Sequence, residues 1–96
     1  MRLSLLFCVT GHVQGVGFRA FVRNLAYDYQ ITGEVWNCSD GSVRILAEHE
    51  SRDNLMAFKR DLMLGPGKPQ EVREEPSPPS ERQGFVIGRT RCKDGL

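Results

Sequence analysis

Apolar residues recur along this chain with two different periods. Leu3 to Val9 form a nearly continuous apolar run, which predicts a buried strand. A Gly-rich loop over Thr10–Gly17 follows. Phe18, Phe21, Val22, Leu25, Ala26 and Tyr29 then fall at i, i+3, i+4, i+7, i+8 and i+11, one face of an amphipathic helix. Its opposite face holds Arg19, Arg23, Asn24 and Asp28, and Thr32–Gly33 are expected to break it. Gly33–Asn37 alternates Val35 and Asn37 against Glu34 and Trp36, and reads as a strand. The Asp40-Gly41 pair is a strong hairpin signal. Ser42–Ala47 returns as the partner strand, with Val43 and Ile45 on one face and Arg44 and Leu46 on the other.

Ser51 is placed to cap a second helix, with Asp53 in its first turn. Leu55, Phe58 and Leu62 give its inward face, with Met56 and Met63 beside them, and Gly65–Gly67 end it. Gln70–Glu75 reads as a weak, polar edge strand. The following "PSPPS" reads as a stiff exposed loop barred from a sheet ladder. Gly84–Thr90 predicts a last strand with Phe85 and Ile87 on one face, and the tail "RCKDGL" has no apolar pattern. Two helices must cover one apolar sheet face. The order predicts an α+β, ferredoxin-like two-layer sandwich, with two helices on one face of a four- to five-stranded, mostly antiparallel sheet. The first crossover should be right-handed if its strands are parallel neighbours.

The 96 residues read as one domain, 1–96, with 40% apolar residues and a net charge of +1. Such a charge lacks the broad basic face of a nucleic-acid binder, so any basic site must be local. The opening "MRLSLLFCV" is too short in its apolar part for a signal peptide. No stretch reaches the roughly 18 apolar residues of a membrane span. Cys8, Cys38 and Cys92 form no C-x-x-C pair, and His12 and His49 sit at no zinc-ligand spacing, so no metal is expected. A reduced, cytoplasmic protein is the default. Spacing alone leaves an intramolecular disulfide open, and Cys38 is otherwise read as an inert or exposed thiol.

The chemistry gathers in "GHVQGVGFRAFVR", Gly11–Arg23. Arg19 stands in the first turn of a helix, at the end that favours anions. Glycines before a helix let several N–H groups face one concavity, which favours an anion as well. A cation at a helix start costs about 0.3–1 kcal/mol. A charge pair about 4 Å apart is worth roughly 4 kcal/mol at an effective dielectric of 20. A bound anion therefore reverses the preference. The alternative is a solvated surface arginine. Asn37, beside a hairpin, is more simply read from its surroundings as a turn residue. The loop lacks the Gly-Lys-Ser/Thr ending of a Walker motif and the downstream acid of a dinucleotide fingerprint.

"GHVQGVGFRAF" followed by "TGEVWNCSDGSVRI" resembles the acylphosphatase family, whose pattern is G-x-V-Q-G-V-G-F-R, a helix, a G-x-V-x-N strand and a turn often written D-G. The two blocks span Gly11–Ile45, and the element order of the rest agrees. The resemblance implies hydrolysis of the carboxyl–phosphate bond of small acyl phosphates, with no cofactor, inorganic phosphate as product and inhibitor, and a monomer as the working form. It places the family's arginine on Arg19, a clamp on the phosphoryl oxygens, together with backbone amides of Gln14, Gly15, Val16, Gly17, Phe18 and Arg19. Its asparagine falls on Asn37, which positions the attacking water. Two positions depart from the pattern. His12 stands where a permanently charged arginine is common, and Cys38 where small hydroxyl residues occur. The same domain type opens a large carbamoyl-transferring maturation protein for hydrogenases, so a phosphate-binding domain cut from such a chain is the alternative. That chain would continue into paired C-x-x-C motifs, whereas this one ends at Leu96.

Overall fold

Strand β1 (Leu3–His12) continues beyond the apolar run that predicts it. Past Val9 the residues are polar or glycine. Pairing continues because β4 (Lys68–Pro76) follows them through a register shift at Thr10/Gly11, setting His12 opposite Lys68. The computed structural model describes residues 2–91. The elements are β1, α1 (Phe18–Asp28), β2 (Thr32–Asn37), β3 (Val43–His49), α2 (Arg52–Leu62), β4 and β5 (Phe85–Ile87). They form a five-stranded sheet in the order β4-β1-β3-β2-β5. Only the β2–β5 pair is parallel. This is the expected sandwich with a mixed, mostly antiparallel sheet. β1 and β2 run parallel, but β3 lies between them, so they are not the adjacent pair that the crossover expectation required.

One core joins the layers. Leu5, Phe7, Val9, Val35, Val43, Ile45 and Ala47 from the sheet meet Phe18, Val22 and Ala26 of α1 and Leu55, Phe58 and Leu62 of α2. Each fully buried aromatic or aliphatic side chain contributes about 1.5–3 kcal/mol. The predicted stripes on both helices are therefore the buried ones. Helix α1 ends earlier than expected. Gln30 takes a left-handed backbone, φ 57°, and the Ile31 N–H returns to the Ala26 carbonyl, so Thr32–Gly33 already belong to β2. Helix α2 starts as predicted, the Ser51 hydroxyl accepting from the Asn54 N–H at 3.2 Å.

The sheet face away from the helices departs from expectation. Ser4, Glu34, Trp36 and Glu48 are buried there, beneath the chain that follows β4. Pro76 closes β4 opposite Leu5, the Ser77 N–H donates to the Ser4 carbonyl, and the Ser80 N–H donates to the Glu48 carboxylate. The Pro-rich stretch is thus tied to the sheet at its edges rather than standing clear of it. Arg91 lies 4.0 Å over the Trp36 ring and pairs with Glu34 at 2.8 Å, and Arg82 meets the same carboxylate at 2.9 Å. The last strand is also shorter than predicted, Phe85–Ile87, with Arg91 returning as an isolated parallel bridge to Cys38. The rest of the predicted tail, from Cys92 on, lies outside the described residues.

Candidate active site

Val13 is buried and anchors the start of the Gly-rich loop. Gly15 and Gly17 then adopt φ 75° and 84°, and neither would place a Cβ against a neighbour. They are needed for the left-handed backbone that other residues rarely take, rather than for close packing. Gly17 is the N-cap of α1, no side chain caps that helix start, and no acid sits in its first turn. The amide groups of the first turn are thus free of side-chain acceptors, in keeping with a place for an anion.

Arg19 follows one residue into the helix. Its guanidinium Nη1 donates to the Gly88 carbonyl at 3.1 Å, and among the described residues it makes no ion pair. Gly88 is held in turn by its own N–H, which donates to the Val35 carbonyl at 2.7 Å. Asn37 ends β2 on the same sheet face as Val35. Its main-chain carbonyl accepts from the Arg91 N–H at 2.9 Å, and its side-chain Oδ1 is buried with no hydrogen-bond partner. A buried acceptor left unpaired costs about 1–3 kcal/mol.

Arg19 and Asn37 line one hollow of about 200 Å³, with Gly15, Gly17 and Phe18 beside them. Ala20 and Ile87 complete its apolar side. The volume falls below the roughly 300–1,000 Å³ of pockets for drug-sized ligands, which suits a small anion. Of the loop residues proposed from sequence, Gln14 and Val16 are not among those lining it. Val16 packs against the core, and Gln14 turns its side chain elsewhere. His12 is exposed and does not line the hollow.

The β2–β3 turn that follows Asn37 is built on Asp40. Its carboxylate accepts from the Ser42 hydroxyl at 2.6 Å and the Ser42 N–H at 2.9 Å, and pairs with Arg44 at 3.4 Å. Those bonds, the Ser42 hydroxyl first, hold the Asp40 carboxyl below its ordinary range. A depressed folded value means stability that is present above the unfolded carboxylate's pKa of about 3.9 and is lost as pH falls through the lower folded value. Asp40→Ala should therefore lower the melting temperature more at about pH 7 than at about pH 2. Thermal melts of both proteins at the two pH values check this, and an equal deficit at both would contradict it.

Cys38, expected as an inert or exposed thiol, is buried rather than exposed, and Cys8 is a free cysteine among the described residues. Among the described residues no three His, Cys, Asp or Glu side chains gather as metal ligands, and no helix is long and apolar enough to cross a membrane.

Sequence reasoning did not find Gly88, Ile87 or the side-chain contacts of Gln14. Gly88 acts through a carbonyl, which any residue carries, so its identity offered no signal. The "VQG" of the loop marked Gln14 for its backbone only.

The structure is a two-layer α+β sandwich in which Arg19 and Asn37 are among the residues lining a small hollow at an uncapped helix start. The model of the acylphosphatase family matches residues 5–87. An acylphosphatase of Listeria monocytogenes is 41% identical over 90 residues, covering 90% of this chain and 96% of that protein. The crystal structure of acylphosphatase from Bacillus subtilis superposes with a TM-score of 0.84 at 32% identity, over 92% of this chain and 99% of that one. Full-length HypF, in its phosphate- and nucleotide-bound form, matches at a TM-score of 0.84 and 32% identity, over 99% of this chain and 13% of that one. The chain belongs to the acylphosphatase family. It is an acylphosphatase enzyme, and its substrate is an acyl phosphate.

Proposed function

We propose that Arg19 and the backbone amides of the Gln14–Arg19 loop hold the phosphoryl oxygens of a small acyl phosphate, while the Asn37 carboxamide positions the attacking water. The observation that carries this reading is that Arg19 and Asn37, distant in sequence, line the same hollow beside an uncapped helix start. The water oxygen attacks phosphorus in line as the bond from phosphorus to the acyl oxygen breaks. That bond's electron pair leaves on the carboxylate, and the water's proton passes to a non-bridging phosphate oxygen. Asn37 is neutral and accepts no proton near pH 7, so its part is orientation. The leaving carboxylate is already stable, so positioning and charge stabilisation carry the catalysis. No step calls for a metal ion. Ala20 and Ile87 give the hollow an apolar lining suited to a small acyl group.

Hydrolysis of benzoyl phosphate, assayed with and without a chelator and with added inorganic phosphate, tests the reading. Activity should persist with chelator and fall competitively with phosphate. Loss of activity on chelation would overturn the metal-independent mechanism.

A second reading makes the chain an acyl- or carbamoyl-phosphate-binding domain of a longer protein. It is favoured by the match of nearly the whole chain to 13% of full-length HypF. Relatives matched over 96% of their own length favour the free-standing enzyme. Turnover of benzoyl phosphate by the 96-residue chain alone would decide for the enzyme, and phosphate binding without turnover for the domain.

A further inference from the structure

The loop that would cradle the phosphoryl group and the turn that follows Asn37 are separate segments, and one side chain joins them. Gln14 Nε2 donates to the Cys38 carbonyl at 2.8 Å and to the Ser42 carbonyl at 2.9 Å. Both hydrogens of a primary amide are thereby used. Each carbonyl already accepts once within the turn: Ser42 from the Cys38 N–H at 2.8 Å, Cys38 from the Gly41 N–H at 3.0 Å. A carbonyl has two lone pairs, so Gln14 fills the second on each without displacing the turn's own bonds. Among the described residues these are the hydrogen bonds that tie the Val13–Val16 part of the loop to the Asn37 side of the hollow. Val13 and Val16 hold the loop by apolar packing, which is non-directional and fixes no separation from Asn37.

We propose that the Gln14 carboxamide is a positioning residue. It clamps the phosphate loop to the turn after Asn37 and so sets the distance from the carboxamide of Asn37 to the held phosphorus. The proposal rests on the assignment of Arg19 and Asn37 given above. It differs from that assignment in giving Gln14 a side-chain role that touches neither substrate nor water. In-line attack is sensitive to distance, and a displacement of about 1 Å can cost 10²-fold in rate. A loosened clamp should therefore act on turnover. The substitutions leave every backbone amide of the Gln14–Arg19 loop in place, and Arg19 has its own anchor in Gly88.

The test uses Gln14→Met, close in length and without donors, and Gln14→Ala, which removes the side chain beyond Cβ. Kinetics with benzoyl phosphate, competitive inhibition by inorganic phosphate and thermal melts are measured on the full chain. Arg19→Ala and Asn37→Ala are measured in parallel. Both Gln14 variants should lose at least about tenfold in kcat. Their phosphate inhibition constants should change by less than about threefold, a split that removal of a binding contact would not give. Turnover within about twofold of the parent in either folded variant would overturn the clamp. So would a loss of phosphate inhibition as large as the loss of turnover, which would mean that Gln14 shapes the anion cradle instead. If Arg19→Ala and Asn37→Ala hydrolyse benzoyl phosphate normally, the assignment of the site itself fails. If they do not and the Gln14 variants do, the clamp alone fails.

Discussion

Arg19→Ala should lower kcat/KM for benzoyl phosphate by about 10²-fold or more, the scale seen when one donor to a developing oxyanion is removed. The expectation follows from the position of the guanidinium. It lines the hollow, has no acid partner among the described residues, and is held by Gly88 through one nitrogen only. That leaves donors for phosphoryl oxygens in a fork that matches their geometry. Arg19→Lys should rescue little. An ammonium keeps the charge but not the planar pair of donors, and it would have to serve both Gly88 and the ligand from one nitrogen. Steady-state kinetics on the two variants check this, and activity in Arg19→Ala close to that of the parent would remove Arg19 from the mechanism.

Asn37→Ala is the second large effect, again about 10²-fold in kcat/KM, and here the loss should fall on kcat. The side chain stands at the end of β2, where the main chain is pinned by β3 on one side and Arg91 on the other. Removing the carboxamide should therefore leave the backbone in place and take away only the group that orients water. Inhibition by inorganic phosphate should survive. Asn37→Asp separates orientation from charge: it keeps the shape but sets a carboxylate against a phosphoryl dianion, so KM should rise as well. A KM change in Asn37→Ala with kcat intact would instead make Asn37 a binding residue.

The α1 stripe from Phe18 to Tyr29 was legible because a helix must repeat its apolar face, and Asp40-Gly41 because few residue pairs suit a hairpin turn. Ser51 declared the start of α2 by the same local logic. Arg19 stood out by breaking a rule, a cation in the first turn of a helix. Asn37 did not stand out; only the resemblance of its strand to a known pattern singled it out. What escaped detection is of another kind. The Gly88 carbonyl that anchors Arg19, the two carbonyls that receive Gln14, and the Arg91 N–H at Asn37 are backbone groups, present in every sequence. They become partners only once distant segments have been brought together by the fold. The cluster of Glu34, Arg82, Arg91 and Trp36 joins residues that no local period links. The Pro-rich stretch was read as barred from a sheet ladder, yet Pro76 closes β4 opposite Leu5, and Ser77 and Ser80 still had N–H groups to give the sheet.

The account stands on Arg19 and the loop amides binding the phosphoryl group, with Asn37 apart from that task. Calorimetric titration of inorganic phosphate into the parent protein, Arg19→Ala and Asn37→Ala measures this directly. Phosphate should bind the parent and Asn37→Ala with similar affinity, and its binding to Arg19→Ala should be weakened by about 10²-fold or be lost. Equal affinity in the parent and Arg19→Ala would contradict it.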